Sequence, residues 1–267
     1  MTMRTARVLI WSLAAQLMIA APLPAQDMLR HVDLASPAMT RAELSREEVI
    51  AKAQAGTAQN PADFSGIGLN GLDLSGLDLS GANFRTARLN NTKLTGAILR
   101  GAILDQAWML NADLTGAALQ KSSLFQAQLQ GAKLDGADFS GARIAADMSR
   151  ASLKNAKFTG ANLAVDMKNQ SMGLMRAVFT SATLDGADFS NADLGRANLE
   201  FTSLKDANFS GANLMGVQFG GANLTGANVT GANFAEADLD TAKLIALIGL
   251  DAANIDRAKN LSKAIRN

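Results

Sequence analysis

The sequence predicts an all-β solenoid, a coil that turns a corner every five residues, and three observations support this. An apolar residue recurs at every fifth position in residues 203–239, at Leu204, Phe209, Leu214, Phe219, Leu224, Val229, Phe234 and Leu239. Ala usually stands two positions before each of them, and Asn or Asp usually lies between the two. Neither regular element suits this period, because five residues advance an α-helix by about 500° and an odd period alternates the faces of a strand. Self-similarity at a fixed period indicates a repeat architecture.

The motif A-(N/D)-(L/F)-x-x resembles that of pentapeptide-repeat proteins. The resemblance implies a right-handed quadrilateral β-solenoid, in which each pentad is one side and four pentads make one coil. The central Leu or Phe and the small residue two before it would then point inward. The repeat runs from Phe64 to Leu244, with a one-residue slip between Ile144 and Met148. We expect about nine coils, which at about 4.8 Å per coil make a rod of roughly 43 Å, with short helical caps at both ends.

Residues 1–25 are predicted to be a secretory signal peptide. Arg4 and Arg7 precede an apolar stretch that Pro22 and Pro24 end, which is typical of such a signal. Cleavage is expected near residue 25. The alternative is an uncleaved anchor, although the apolar stretch is short for a membrane span of about 20 residues. We therefore expect the protein in the periplasm, with no membrane contact indicated once the signal is removed.

Residues 26–60 are predicted to be a lead-in and an N-terminal capping helix. Thr40 and Glu43 fit a capping box, and Gly56 suits a helix C-cap. The helix is therefore expected from about Arg41 to Ala55, where it would cover the open end of the rod.

The repeat domain is assigned to residues 61–244, with an irregular segment at residues 164–176. This segment contains Met167, Met172 and Met175. Methionine clusters can bind soft metals such as Cu(I), but methionines also pack well at irregular joints, and packing is the preferred interpretation.

Residues 245–267 are predicted to be a C-terminal helical cap, with one or two short helices broken near Gly249. Apolar residues in this segment would seal the last coil. In proteins of the family that the motif resembles, this end often dimerises, so a homodimer through the C-terminal cap is the alternative use of the same residues.

Residues 20 apart should lie on the same side of successive coils, about one strand spacing apart. One such set alternates in sign, at Asp73, Lys93, Asp113 and Lys133. It predicts an inter-coil charge ladder, which would help register more than stability, because exposed ion pairs contribute only about 0–1 kcal/mol each. Stacks of amide-bearing positions are predicted in the same way, at Asp193, Asn213 and Asn233 and at Asn208 and Asn228.

Several apolar residues take outward positions that are usually polar, namely Ile98, Ile103, Trp108, Leu110 and Phe125. All five are expected to be exposed on adjacent faces of one or two coils. Exposed apolar clusters often mark binding surfaces, so these residues form a candidate interaction patch. The alternative is that the caps or a local bulge cover them.

The charge of the chain is near zero overall but unevenly distributed. The chain carries a net +1, and loss of Arg4 and Arg7 with the signal would leave −1. Residues 85–176 carry a net +6, and residues 177–240 carry a net −6. Such a rod could pair head to tail or attract a charged partner, or its charges could simply be solvated.

The sequence favours a non-catalytic scaffold over an enzyme. The chain has no cysteine and a single histidine, His31, in the lead-in, where it is interpreted as a surface residue. Thiol catalysis and disulfides are therefore excluded. Asp and Asn recur because the repeat needs them, so no carboxylate pair stands out. We predict no catalytic, cofactor or metal residues, and an unidentified protein partner bound on the rigid lateral surface of the rod.

The alternative function comes from the family resemblance, since one branch protects DNA gyrase from quinolones by resembling DNA in shape and charge. Duplex DNA carries one charge per about 1.7 Å, so a rod of roughly 43 Å would need about 25 negative charges to mimic it. The near-zero net charge and the signal peptide disfavour this role of topoisomerase protector or inhibitor. No nucleic-acid partner is expected.

Overall fold

The structure is a computed structural model that describes residues 32–165 and 175–266. The predicted signal peptide, His31, Met167 and Met172 lie outside these residues. The described chain begins with two helices, α1 (Pro37–Thr40) and α2 (Arg46–Ala55), and then winds as a four-sided coil. In the described part of the chain, no helix is long and apolar enough to cross a membrane.

Each pentad forms one side and one corner of the coil, as the pentad that begins at Ala102 shows. The side chains of Ala102 and Leu104 are fully buried. The chain then turns, because the N–H of Ala107 donates to the C=O of Leu104 at 3.1 Å. Gln106, in this turn, has a φ of 59°, and Gly101 takes the same position in the preceding turn with a φ of 63°. A positive φ at the third turn residue is typical of type II turns and explains why Gly is frequent there.

The residue before each buried Leu or Phe pairs with its counterpart one coil away in a parallel bridge, and the bridges form four rows. We call each row a face and count the faces in chain order. The first face contains Asp63, Asn83, Ile103, Ser123, Arg143, Asn162, Asp193, Asn213 and Asn233. The second contains Gly68, Arg88, Trp108, Gln128, Asp147, Val178, Asn198, Gln218, Asp238 and Lys259. The third contains Asp73, Lys93, Asp113, Lys133, Ser152, Thr183, Ser203, Asn223, Lys243 and Ile265. The fourth contains Asp78, Ile98, Ala118, Asp138, Lys157, Asp188, Asn208, Asn228 and Ile248.

Regular strands are few in this solenoid. The described chain has two, β1 (Ser123–Gln128) and β2 (Arg143–Asp147), which are parallel neighbours with Ser123 opposite Arg143. Elsewhere each side pairs through a single bridge, because the next corner begins two residues later. The predicted solenoid is confirmed, but it contains much less regular strand than the all-β class suggests.

Two irregularities interrupt the 20-residue period. Arg143 bridges to Asn162, only 19 positions later, which is the predicted one-residue slip. Asn162 bridges to Asp193, 31 positions later, so 11 extra residues lie in this coil. This second break lies between Asn162 on the first face and Val178 on the second, where residues 166–174 lie outside the described part of the chain.

The described end of this segment supports the packing interpretation of its methionines. Met175 is buried, and its sulfur accepts a hydrogen bond of 3.2 Å from the side-chain amide of Gln126. Among the residues that the structure describes, no group of three or more His, Cys, Asp or Glu side chains could hold a metal ion.

Phenylalanines on the fourth side of the coil form a stack inside the core. Ring centroids are 5.0 Å apart for Phe139 and Phe158, 4.7 Å for Phe158 and Phe189, and 5.1 Å for Phe189 and Phe209. The rings are nearly parallel, at 2–5°. The coil spacing of about 4.8 Å therefore sets the distance between the rings.

Helix α2 lies across the N-terminal end of the coil. The hydroxyl of Ser45 accepts the N–H of Glu48 at 3.2 Å, and the Glu48 carboxylate accepts the N–H of Ser45 at 2.7 Å, which together form a capping box. Val49 is fully buried in the core, and the Lys52 ammonium lies 5.8 Å from the centroid of the Phe64 ring. The helix therefore covers the first apolar layer of the solenoid.

The predicted capping box at Thr40 and Glu43 is wrong. Thr40 ends α1, and the Glu43 carboxylate accepts the N–H of Gly68 at 3.1 Å and pairs with Arg88 at 2.5 Å. The sequence offers two equivalent patterns of Ser or Thr followed three residues later by Glu. The contact of Glu43 with the coil leaves only the second pattern free to begin the helix.

The C-terminal tail continues the coil rather than closing it with helices alone. It contains three single-turn 3₁₀ helices, Leu250–Ala252, Ile255–Arg257 and Leu261–Lys263. Between and after them, Lys259 bridges to Asp238 and Ile265 bridges to Lys243, at intervals of 21 and 22 residues. The tail is therefore a last, wider coil whose corners are 3₁₀ turns, which differs from the predicted helical cap.

Candidate protein-binding surface

The five residues of the predicted interaction patch do not form one surface. Ile98, Ile103 and Trp108 lie on the fourth, first and second faces, so Ile98 and Trp108 are on opposite sides of the rod. Leu110 is buried, with 8% of its surface exposed, and the other four residues are half-buried. The expectation that all five are exposed together is wrong, because two pentads carry the chain half-way round the coil.

Leu110 lies at the corner between the second and third faces, where the lead-in packs. In this corner the side-chain amide of Asn70 donates to the C=O of Arg41 at 2.9 Å, and that of Asn90 donates to the C=O of Met39 at 3.2 Å. Asn90 Oδ1 also accepts the N–H of Leu110 at 3.0 Å, and Met39 is buried. The lead-in therefore packs against this corner of the rod. This agrees, for Leu110, with the alternative interpretation that a cap covers the residues of the patch.

Ile103, Trp108 and Phe125 remain together at the corner between the first and second faces. Ile103 and Trp108 flank this corner in one coil, and Phe125 lies in the same corner of the next coil. Asp105 holds the corner, because its carboxylate accepts the N–H of Phe125 at 3.0 Å and the hydroxyl of Ser123 at 2.5 Å.

A cation completes this cluster. The guanidinium carbon of Arg143 lies 5.6 Å from the centroid of the Phe125 ring, within the range of a cation–π interaction. We call Ile103, Trp108, Phe125 and Arg143 the edge patch.

The predicted charge ladder has the expected register without the expected contacts. Asp73, Lys93, Asp113 and Lys133 follow one another along the third face. Among the described residues, however, no ion pair within 4.0 Å joins neighbouring members. Asp113 instead accepts the N–H of Thr115 at 3.1 Å and its hydroxyl at 2.7 Å. Burial raises the pKa of Asp113, but the hydrogen bonds from Thr115 outweigh it, and the positive charge of Lys133 lowers this pKa further by a smaller amount.

Carboxylates on the faces accept hydrogen bonds from the turns that follow them. Asp78 accepts the N–H of Ser80 at 3.0 Å and its hydroxyl at 2.6 Å, and these bonds lower the pKa of Asp78. Burial raises the pKa of Asp138, but hydrogen bonds, chiefly from Ser140, outweigh it and leave this pKa below its ordinary value. The pKa is also lowered at Asp63, Asp73, Asp113 and Asp188. Carboxyls held in the ionised form are poor proton donors near neutral pH.

Amide side chains link the coils on the first face in the way that the sequence predicts. On the first face, the amide of Asn213 donates to Asp193 at 2.8 Å, and that of Asn233 donates to Asn213 at 3.2 Å. On the fourth face, Asn208 and Asn228 have the predicted register, but the amide of Asn208 donates instead to Asp188 in the coil before it, at 3.0 Å. Asn228 Oδ1 accepts the N–H and the hydroxyl of Thr230, at 3.1 and 2.7 Å.

Within the described part of the repeat domain, the sequence analysis missed two exposed apolar side chains, Phe201 and Met215, which are 65% and 43% exposed. Both lie in corners of the coil, and not at the position before a buried centre, where an apolar residue stands out because that position is usually polar. Phe201 has a φ of 59° and takes a turn position where Gly221 stands one coil later. Its ring lies against that glycine, since a Cβ added to Gly221 would be 2.6 Å from Phe201 Cδ1. A bulky residue at a position that favours Gly is the signal that marks this site.

The C-terminal end of the rod carries an open apolar cavity of about 220 Å³, lined by Leu244, Leu247, Leu250, Ile255, Asp256, Leu261 and Arg266. Ile248 and Ile265, near this end, are 58% and 42% exposed. The tail therefore leaves part of the last apolar layer open.

The family of the chain follows from comparison with known proteins. The family model for pentapeptide repeats (8 copies) matches residues 62–101, 107–144, 122–164, 174–211 and 212–245. The chain therefore belongs to the pentapeptide repeat family, whose members form right-handed β-solenoids and are generally non-enzymatic scaffolds.

Two solved structures illustrate the relationship. HetL, a pentapeptide repeat protein involved in heterocyst differentiation regulation in the cyanobacterium Nostoc sp. strain PCC 7120, is 30% identical over 76% of this chain and 89% of its own, with a TM-score of 0.41. Full-length QnrB1, a plasmid-mediated fluoroquinolone resistance protein, is 17% identical over 75% of this chain and 93% of its own, with a TM-score of 0.46. No curated protein sequence matches the chain.

Proposed function

We propose that the protein is a non-catalytic, exported scaffold that binds a protein partner through its rigid lateral surface. One observation carries this proposal: the carboxylates on the faces have a structural role. Those of Asp78 and Asp138, for example, accept N–H groups of the following turns, and their lowered pKa keeps them ionised. The apolar side chains fill the inside, and these carboxylates are committed to the corners. What remains for function is the shape and chemistry of the outer surface, where sites on a repeat scaffold are built.

The edge patch is the partner site that we propose. Trp108, Phe125 and Arg143 belong to the residue types that are enriched at the cores of protein interfaces. Asp105 and the bridges between coils hold these side chains on regular backbone. A surface that is already ordered loses little conformational freedom on binding, so a small patch of this kind can still be selective.

Photocrosslinking in the natural host tests this site. A photoreactive amino acid replaces Trp108, and a matched control places it at Ile98, on the opposite side of the rod. We expect one dominant foreign protein to be captured from position 108 and not from position 98. Equal capture at both positions, or no capture from position 108 by a folded protein, would contradict the edge patch as the partner site.

A double substitution tests whether the same side chains are needed for folding. The variant Trp108→Ala, Phe125→Ala should keep its circular dichroism spectrum and lose the partner, because both side chains are only half-buried. Unfolding of this variant would instead assign both residues to the core.

Export is supported by the basic and apolar pattern of residues 1–25, which lie outside the described residues. Fractionation of host cells, followed by mass spectrometry of the protein, tests it. We expect a mature N-terminus near residue 26 in the periplasmic fraction. Uncleaved protein in the cytoplasm would refute export, and uncleaved protein in the membrane fraction would favour the anchor.

We further propose that about nine coils form the rod, and that α2 and the C-terminal tail act as its caps.

We also propose that a homodimer forms at the C-terminal end of the rod. The open cavity and the exposed side chains of Ile248 and Leu250 support contact between copies there. Substitution of both residues by Ser should then abolish a dimer detected by sedimentation, and an unchanged dimer would refute it.

A further inference from the structure

Backbone groups on each side of a coil pair with the coil before it and with the coil after it. The fourth face shows the pattern between the first and second coils. The N–H of Leu79 donates to the C=O of Ile98 at 2.7 Å, and the N–H of Ile98 donates to the C=O of Leu77 at 2.9 Å. The N–H of Gly81 donates to the C=O of Arg100 at 2.8 Å. Each side of a coil therefore offers two acceptors and one donor to the coil before it.

The first coil has no coil before it, and the lead-in and α2 supply partners on two of its faces. On the second face, the C=O of Gly68 accepts the N–H of Glu43 at 2.7 Å, and the N–H of Gly68 donates to the Glu43 carboxylate at 3.1 Å. On the third face, the C=O of Asp73 accepts a hydrogen bond from the guanidinium of Arg46. Free strand edges can pair with another chain, so these contacts protect the N-terminal end of the rod.

The fourth face of the first coil has no such protection. The N–H and C=O of Asp78 and the C=O of Ser80 make no hydrogen bond to any other described residue. They are the two acceptors and the donor that a preceding coil would use. The edge of the first face at Asp63 is also unpaired within the described chain, but Asp63 does not line the cleft beside the fourth face.

This cleft is open and has a volume of about 530 Å³. Its lining residues fall in two segments, residues 78–82 of the first coil and residues 53–62, which contain the end of α2 and the loop after it. Ala53, Ala62 and Leu79 contribute apolar surface to the lining. The volume lies within the range of about 300–1,000 Å³ that is usual for ligand pockets. We call this space the N-terminal cleft.

The charge around the N-terminal cleft favours a cation. Residues 32–84 carry seven acidic and three basic side chains. Asp78 is exposed, and its Oδ2 makes no hydrogen bond or ion pair within the described chain. Arg100, in the next coil, donates to Gln120 at 3.2 Å and makes no ion pair with Asp78. Because α2 ends at Ala55, the negative end of its dipole also lies beside the cleft.

We propose that the N-terminal cleft binds an extended peptide segment of a partner protein, which adds a parallel strand to the fourth face and has the pattern small–basic–apolar. The basic residue lies opposite Asp78, where opposite charges attract across a strand pair. The small and the apolar residue on either side of it point into the cleft, because side chains alternate along a strand.

The bonds of this strand repeat those between successive coils. The N–H of the apolar residue donates to the C=O of Asp78, and the N–H two residues later donates to the C=O of Ser80. The C=O of the small residue accepts the N–H of Asp78. In strand addition of this kind, main-chain hydrogen bonds give affinity and side-chain pockets give specificity. The site lies apart from the edge patch, and a homodimer at the C-terminal end leaves it free.

Fluorescence anisotropy with a labelled peptide, Ala-Lys-Leu-Thr-Gly with blocked ends, tests the strand pairing on the mature chain as purified from its host. We expect saturable binding. Methylation of the Leu nitrogen removes the N–H that donates to Asp78, so it should weaken binding at least about tenfold. Methylation of the Lys nitrogen is the matched control, because that N–H points away from the coil, and it should change binding less than about twofold. No binding of the unmodified peptide, or equal effects of the two methylations, would overturn the proposal.

A pair of matched variants tests the position of the peptide. Asp78→Asn keeps an acceptor for the turn and should weaken binding about two- to fivefold, with no effect on a peptide in which Gln replaces Lys. Asp113→Asn is the control, because Asp113 makes the same two bonds to its own turn but lies two coils away on the third face. Equal effects of the two variants would refute the site.

The variant Trp108→Ala, Phe125→Ala separates this site from the edge patch. It should bind the peptide as the wild type does, whether or not the edge patch has a partner of its own. Loss of peptide binding by this variant, with its fold intact, would assign the peptide to the edge patch and overturn the N-terminal cleft as its site.

Discussion

Replacement of Asp138 tests whether the face carboxylates hold the coil together. Its Oδ1 accepts the N–H and the hydroxyl of Ser140 at 2.9 and 2.6 Å, and its Oδ2 accepts the side-chain amide of Gln120 at 2.7 Å. Asp138→Ala removes the acceptor of all three bonds. Hydrogen bonds to charged groups contribute about 1.5–3 kcal/mol, and water can replace part of this at a half-buried site, so we expect a loss of about 2 kcal/mol. In a chain of this size, that loss lowers the Tm by about 4–8 °C.

Asp138→Asn is the matched control, because Asn stands at the same position three and four coils later, at Asn208 and Asn228. In one of these coils, Asn208 Oδ1 accepts the N–H of Ser210 at 3.1 Å. The neutral side chain keeps an acceptor for Ser140 but loses the charge and the acceptor of the Gln120 amide, because the second terminal atom of Asn is a donor. Asp138→Asn should therefore cost about 1 kcal/mol near neutral pH, less than Asp138→Ala.

The pH dependence gives the sign of the effect. The pKa of Asp138 is lower in the folded than in the unfolded chain, so the stability that its carboxylate contributes is present above the unfolded pKa of about 3.9. It is lost as the pH falls through the lower, folded pKa. The gap in Tm between wild type and Asp138→Asn should therefore shrink below about pH 4 in melts followed by circular dichroism. Equal Tm values for Asp138→Ala and Asp138→Asn at neutral pH would refute the reasoning, because the turn would then not need its acceptor.

Three further predictions concern the end, the core and the corners of the rod, all measured by thermal or urea unfolding. Ser45→Ala should cost about 1 kcal/mol through loss of the N-cap, and Thr40→Ala should be close to neutral; the reverse order would place the helix start wrongly. Phe158→Ala should cost about 3–5 kcal/mol because it leaves a cavity in the ring stack, and a loss under about 1 kcal/mol would show that the stack is not tightly packed. Gly101→Ala should cost about 1 kcal/mol through its positive φ alone, whereas Gly221→Ala should cost more, because its Cβ also meets the Phe201 ring; equal losses would contradict that contact.

The inward side of the rod is predictable from the sequence, because one rule governs every coil. The period of five, with Ala two positions before each centre, correctly assigns Ala102 and Leu104 to the core. The sequence also predicts the slip after Ile144 and a break in the period between Asn162 and Val178, because each shifts the five-residue spacing. These predictions succeed because the core positions are set within each pentad and repeat along the chain. The motif alone therefore identifies the two buried residues of a pentad.

The outside could not be predicted to the same extent, because its contacts join residues far apart in sequence. Glu43 fits a capping box locally, yet it pairs with Arg88, 45 positions later. Leu110 occupies an outward position, yet it lies where the lead-in crosses the side of the rod. The grouping of Ile98 with Trp108 failed for a geometric reason, since proximity in sequence does not imply a shared face in a four-sided coil.

The geometry of the corners explains how the large apolar side chain of Phe201 is accommodated on the outer surface of the rod. A side chain in the left-handed turn position leans toward the next coil, so it meets whatever stands at the same position there. A polar side chain can bond to its neighbour, as Gln106 does with Gln126 at 2.9 Å. An aromatic ring has no such bond to make, and the ring of Phe201 lies instead against Gly221, which has no side chain. A large apolar group at a corner thus depends on a glycine one coil later. Binding residues on a pentapeptide-repeat surface can therefore be sought as pairs of this kind, even where the sequence of a single pentad gives no sign of them.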